Sequence, residues 1–345
     1  MDCMNKKVLL NRLEVERKTP ANLTKEDLFL FKNELTKIIN EVLFIEEKNV
    51  VIVDGNLIFN SDGKLLKPFT PVFSIPEDNL SKIKFHIKNY LKRNENLTDN
   101  SYYWIIDAWS FGYFHWITDS LPRLLCIIKE IGPGIVLLPE FYKNGEYILK
   151  SLYALNCSAV FFNSSYKIKI RKLISCTQVA PTGNYNPEII RKVSRSLIQM
   201  TLADEQSSIV NLNVYISREK AIKRKLKNEN EIKEILLKYN FKFICFEDLA
   251  WVDQIKLMNK AKNVVSIHGA GLTNCMFMKE GGNVFELRGN NDDKNNCYFS
   301  LCSALNLNYY YQTCNYEIEN LPNSNLIIDP VLFEKNLLKM LGNPD

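Results

Sequence analysis

The C-terminal half of the chain alternates short, unbroken apolar runs with stretches of helical periodicity. That rhythm restricts the fold more than any other feature. Residues 213–217, 241–246, 264–267 and 283–287 are too short for helices and apolar without alternation, as strands covered on both faces must be. Amphipathic segments separate them. In one, Asn228 and Glu231 stand at capping-box spacing at the start of residues 228–240; in the next, Asp248 is placed to cap residues 249–261. Residues 296–305 read as helical and 309–312 as extended, and Asp329-Pro330 opens a final helix near 329–341 as N-cap and first helical residue. Strands alternating with helices at this spacing predict a parallel, doubly wound α/β sheet.

The N-terminal half is less regular. Residues 20–45 suggest a helix followed by a strand, and residues 49–75 resemble hairpins turning at Asp54-Gly55 and Asp62-Gly63. From Tyr102 the α/β rhythm returns, and a helix from Pro187 to about Leu202 bridges the halves. The expected division is a domain over 1–205 (irregular over 1–100, Rossmann-like over 100–205) and a second domain over 206–345. A chain of 345 residues is comfortable for two domains.

Composition narrows the class of partner. A net charge of +5 suits anionic ligands or an anionic membrane surface. No run approaches the ~20 apolar residues that span a bilayer, and the N-terminus lacks the apolar core of a signal peptide. Nine cysteines without C-x-x-C pairs point to a reducing compartment. The expectation is a cytoplasmic protein, with docking at the inner face of the membrane left open.

Four stretches carry chemistry. In "SIHGAGLTN" an apolar run gives way to Gly269-Ala270-Gly271. Either the bare backbone lets an anion reach the first N–H groups of a helix, or the glycines only permit close packing. The third glycine of a dinucleotide fingerprint and the Lys-Ser/Thr of a P-loop are both missing. Arg218 follows the first predicted strand of the second half, where ligands of open α/β sheets bind, and a guanidinium there suits phosphate. Six of residues 218–227 are Lys or Arg. Lys220, Lys223 and Lys225 read as a solvated surface, and without interleaved aromatics nucleic acid is not indicated. Glu286, at a strand end, is either a ribose acceptor or an exposed edge charge. In "WSFGYFHWITDSLPRLL", His115, Asp119 and Arg123 fall at i, i+4 and i+8, one helical face, with Pro122 starting or kinking that helix near Asp119. A carboxylate beside His115 makes the arrangement of a general base; the competing reading is a packed core histidine. His86 reads as surface. No D-x-D and no His/Cys cluster at ligand spacing implies a metal.

"FHWITDSLPRLL", "YISREKAIKRKLKNENEI" and "SIHGAGLTNCMFMKEGGNVFEL" follow one another in an order that resembles the family 61 glycosyltransferases. The resemblance covers roughly residues 100–310. It implies a GT-B architecture, two Rossmann-like domains facing a cleft, and an inverting, metal-independent transfer from a nucleotide sugar, most often a UDP-sugar. No cofactor beyond that donor is implied. The matched positions are His115, Asp119 and Arg123 in the first domain. In the second they are Ser217, Arg218, Arg224, Asn228, Glu229, His268, Gly269, Ala270, Gly271, Leu272, Asn274 and Glu286. On this reading the amides of residues 269–272 and Arg218 hold the pyrophosphate, with Arg224 a second phosphate contact. Glu286 takes the ribose, and His115 or Asp119 deprotonates a saccharide acceptor, lipid-linked where surface polysaccharide is being built. The competing expectations are a nucleotide-sugar epimerase, which needs no acceptor, and a non-catalytic glycan- or partner-binding module.

Overall fold

A computed structural model describes residues 7–66, 92–203, 211–318, 321 and 324–342. His86 and residues 67–75 of the hairpin region lie outside them. The chain forms two compact α/β units. Unit 1 comprises residues 1–13 and 40–180, and unit 2 comprises residues 14–39 and 181–345. The boundary thus falls before the helix Pro187–Leu202, not near residue 205. That helix turns its apolar face onto unit 2, where Ser194 Oγ donates to Met276 O (2.5 Å) and Arg191 Nε to Ala304 O (2.6 Å).

Unit 2 holds a six-stranded sheet in the order Phe241–Ile244, Leu212–Ile216, Ala261–Ile267, Asn283–Gly289, Asn308–Tyr316, Leu326–Ile327. The first five are parallel, and only Leu326–Ile327 runs antiparallel to its neighbour. The doubly wound sheet expected from the apolar runs is therefore present. Its central strands are buried on both faces: Val264, Val265, Val284, Phe285 and Leu287 show no exposure. Helices Glu229–Lys238, Trp251–Lys260, Cys297–Ala304 and Pro330–Leu341 supply the covering layers. Asp329 caps the last of these by accepting from the amides of Val331 and Leu332. The other two expected caps do not form. Asn228 sends its side chain to Ile328 instead, and Asp248 pairs with Lys220.

Unit 1 departs from an all-parallel Rossmann sheet. Strands Ile135–Pro139 and Ser158–Phe162 are parallel to each other, and Asn94–Tyr103 is parallel to Lys167–Cys176. Val42–Val53 then pairs antiparallel with Lys167–Cys176, Leu57–Phe59 and Val8–Leu10. Both expected turns exist. Asp54 and Gly55 take φ of 52° and 79°, and Gly63 takes 76°.

The aromatic segment folds as one helix in three parts: Tyr113–His115, a π-helical turn Trp116–Ser120, and Leu121–Ile131. Pro122 has no amide hydrogen to donate one turn back. The wider turn absorbs that, with the Leu121 amide reaching Trp116 O. Among the described residues, no helix is long and apolar enough to cross a membrane.

Candidate active site

The strand order in unit 2 selects a place on the sheet. Numbered along the chain, its parallel strands run 2-1-3-4-5, so the winding direction reverses between Leu212–Ile216 and Ala261–Ile267. Ligands of open α/β sheets bind beyond the carboxyl ends of the strands at such a switch point. Ser217-Arg218 and His268-Gly269 leave those two strands side by side, since Ile216 is in register with Ser266. A Cβ built on Gly269 would lie 2.2 Å from Arg218 Nη1. Position 269 is bare because the guanidinium occupies that space. Arg218 Nη2 donates to Lys223 O (3.0 Å) and Nε to Arg224 O (3.1 Å), fixing the fork and leaving Nη1 uncommitted over the glycine. Arg224 adopts the left-handed φ of 57°, uncommon outside glycine, and its own Nε is buried without a partner. Burial, and then the charge of Arg224, lowers Arg218 from the usual guanidinium value. Among the described residues no carboxylate pairs with either arginine. Arg218 thus lies on bare backbone with a second part-buried cation near enough to repel it, an effect Tyr298 and Glu247 offset in part, and such a place suits an anion.

His268 is held beside it. Its Nδ1 hydrogen-bonds Glu286 Oε1, and its ring lies 5.0 Å from that of Tyr298, whose hydroxyl donates to Gly269 O (2.6 Å). Glu286 has no exposure, and its second oxygen accepts from Tyr309 OH (2.5 Å). Burial alone would push this carboxyl up. The charge and hydrogen bond of His268, then Arg288 and Tyr309, outweigh burial and hold it below the usual glutamate range. A carboxyl with a lower pKa folded than unfolded stabilises the fold above its unfolded pKa, about 4.3, and that contribution is lost as pH falls through the folded value. Glu286→Gln is therefore expected to be less stable than wild type at neutral pH. The gap should narrow in acid, as followed by chemical denaturation between neutral pH and pH 3.

Unit 1 contributes a second histidine–carboxylate pair. His115 Nδ1 and Asp119 Oδ2 are 2.9 Å apart, with Asp119 buried and His115 part-exposed. The carboxylate fixes the Nδ1–H tautomer and leaves Nε2 as a proton acceptor. Arg123 turns to Asp107, with Nη2 3.4 Å from Oδ2 and Nη1 3.4 Å from Ile105 O. Asp107 also accepts from the Trp109 amide and from Ser110 Oγ. All three expected residues lie on one helix, but only His115 and Asp119 are hydrogen-bonded to each other. Arg123 braces the loop that leaves the strand Asn94–Tyr103.

The family model for Glycosyltransferase 61 matches residues 113–285, half of the chain. This chain belongs to glycosyltransferase family 61. The matched segment opens two residues before His115 and closes one residue before Glu286, so it spans both clusters. The chain is also similar to the EGF domain-specific O-linked N-acetylglucosamine transferases of Canis lupus familiaris and Rattus norvegicus, each 25% identical over 134 residues. The protein of the same name from Bos taurus is 24% identical. These matches cover 37% of this chain and a quarter of the relatives' length.

Several expected donor residues of this glycosyltransferase have other positions. Glu286, expected as the ribose acceptor, is fully buried with one oxygen on His268 and the other on Tyr309. Leu272 is buried, and its amide donates to Gly269 O (2.9 Å), so it is withdrawn from the phosphate donors. Residues Ala270–Phe277 form a 3-10 helix in which only Ala270 is exposed and Gly271 is part-exposed. Asn274 is buried and donates to Gln254 Oε1 (3.0 Å), tying this segment to the helix Trp251–Lys260. Asn228 joins the Glu229–Lys238 helix to Ile328. Ser217 is buried; its Oγ donates to Glu229 Oε1 (2.8 Å) and accepts from the Glu219 amide, shaping the start of the basic loop. Arg218, Arg224, His268, Gly269, Ala270 and Gly271 remain at the switch point. The sequence reading missed Asp107, Tyr298, Tyr309 and Arg288. Asp107 carried a readable signal, an acid directly after the apolar run "YYWII", whereas the other three matter only through contacts between strands.

Proposed function

We propose that this glycosyltransferase moves a sugar from a UDP-sugar to a hydroxyl of a glycan or lipid-linked saccharide, with inversion and without a metal. The relatives' name points to N-acetylglucosamine as the sugar. One observation carries the reading: Arg218, with no carboxylate ion-paired to it among the described residues, covers the bare backbone at Gly269, and Arg224 adds a second positive charge beside it. In this reading the two units are the halves of a GT-B transferase. Unit 2 binds the donor, and unit 1 supplies the proton acceptor. As the bond from the anomeric carbon to the phosphate breaks, negative charge grows on the diphosphate. The arginines, with the amides of Ala270 and Gly271, are already in place to stabilise it. Fixed positive groups at the leaving group make a metal unnecessary. The Nδ1–H of His268 is committed to Glu286, so its Nε2 is the atom left to meet the donor. The acceptor hydroxyl attacks the anomeric carbon from the face opposite the phosphate and gives its proton to His115 Nε2.

A thermal-shift series tests the donor. A ligand that binds only the folded state stabilises it by mass action, by about 2.7 kcal/mol at 100 times its Kd, and so raises the melting temperature. UDP and UDP-N-acetylglucosamine should raise it, and GDP, CMP and dTDP should raise it less. A larger shift with another nucleotide would move the donor to that base. No shift with any of them would remove the nucleotide-sugar reading.

A further inference from the structure

We infer that Trp109 is a stacking platform for a pyranose ring of the acceptor, set beside the proton acceptor His115. The inference rests on the transferase reading and names the chemistry that its acceptor must present. Trp109 is 63% exposed, while Trp104, Trp116 and Trp251 are all buried. Its ring centroid lies 5.9 Å from that of His115, tilted by 34°. The loop beneath it is tied down. The Trp109 amide donates to Asp107 Oδ1 (2.9 Å), the Asp107 amide to Ser110 Oγ (2.9 Å), and the Gly112 amide to Trp109 O (2.9 Å). Tyr147 OH donates to Phe111 O (2.8 Å), and Ser110 is fully buried.

The loop thus spends its polar groups inward and holds a large aromatic face in water. An indole this exposed contributes little apolar burial to folding. Its apolar face and rigid mounting suit a ligand with an apolar face of its own. A pyranose has that shape, with C–H groups on its faces and hydroxyls around its rim. Stacked on Trp109, it would turn a rim hydroxyl toward the imidazole. An acyl chain or a peptide side chain could also lie on indole, but neither pairs an apolar face with a rim of hydroxyls for the base to deprotonate. On this inference the attacking hydroxyl belongs to a sugar.

Acrylamide quenching of tryptophan fluorescence reads the platform directly, because Trp109 alone among the four indoles is open to quencher. The probes are the methyl β-glycosides of glucose, galactose, xylose and N-acetylglucosamine in the presence of UDP, with open-chain sorbitol as control. At least one pyranoside should protect the quenchable emission, and sorbitol should not. Trp109→Phe should keep the aromatic face. Trp109→Ala should raise KM roughly tenfold for the best pyranoside acceptor, while the Kd for UDP read by calorimetry shows that the donor still binds. Protection by sorbitol equal to that of the sugars, no protection by any pyranoside, or an unchanged acceptor KM in Trp109→Ala would overturn the platform. If UDP still binds in those cases, the donor reading stands and only the platform fails.

Discussion

Replacing His115 by alanine is expected to lower kcat by about 10²–10⁴-fold, the usual cost of losing a positioned general base. The Kd for UDP should not change, because the proposal gives His115 the acceptor's proton and no contact with the diphosphate. The size of the effect follows from the pair it breaks. Asp119, buried and 2.9 Å from Nδ1, holds the ring in one tautomer with Nε2 available, and that organisation is built in before any acceptor arrives. Asp119→Ala should also depress turnover, by less, because the imidazole survives while its orientation does not. Single-turnover kinetics alongside calorimetry with UDP separates chemistry from binding. A fully active His115→Ala enzyme with an inactive Asp119→Ala enzyme would transfer the role of base to the aspartate.

The second large effect belongs to Arg218. Removing it should weaken UDP binding by about 10- to 150-fold, the equivalent of one charge-assisted contact worth roughly 1.5–3 kcal/mol. Its fork is pre-set by Lys223 O and Arg224 O, so little ordering cost is recovered on deletion. Gly269→Ala offers a subtler form of the same test. The added methyl meets the flexible end of Arg218, so the fold should survive while the guanidinium is displaced and UDP affinity falls. Normal UDP affinity in both variants would mean that the switch point is only a packing junction.

Much of unit 2 was legible because its strands announce themselves locally. Unbroken apolar runs such as residues 264–267 can be buried only between two layers of helix, and the chain must then leave the sheet at His268-Gly269. Arg218 was legible for the same reason, as the residue directly after a strand. Glu286 was not. A carboxylate read as closing the strand 283–287 suggests a surface charge or a ligand group, but the strand runs on to Gly289, and Tyr309 from one neighbouring strand and His268 beyond the other make Glu286 a buried hub. Lys167–Cys176 escaped for a different reason. Its lysines and isoleucines alternate as on a half-exposed strand or surface hairpin, yet it pairs with Val42–Val53, more than a hundred residues earlier. The return of residues 14–39 to unit 2 has no local signal either. Phe31 lies under the Arg288 guanidinium, Asn296 Nδ2 donates to Leu30 O (2.8 Å), and Tyr311 OH donates to Asp27 Oδ2 (2.8 Å). Contacts of that sequence separation are set by packing, which periodicity does not encode. The π turn at Trp116–Ser120 sits between these cases. Pro122 marks a disturbance in the helix, and only the backbone shows that a wide turn resolves it with His115 and Asp119 still on one face.

A crystal structure of the UDP complex tests the central claim most directly. The account predicts the two phosphates beyond the ends of Leu212–Ile216 and Ala261–Ile267, with one oxygen within hydrogen-bond distance of Arg218 Nη1 and the backbone at Gly269 in contact with the diphosphate. UDP bound elsewhere on the chain, with no phosphate oxygen near Arg218, would contradict it.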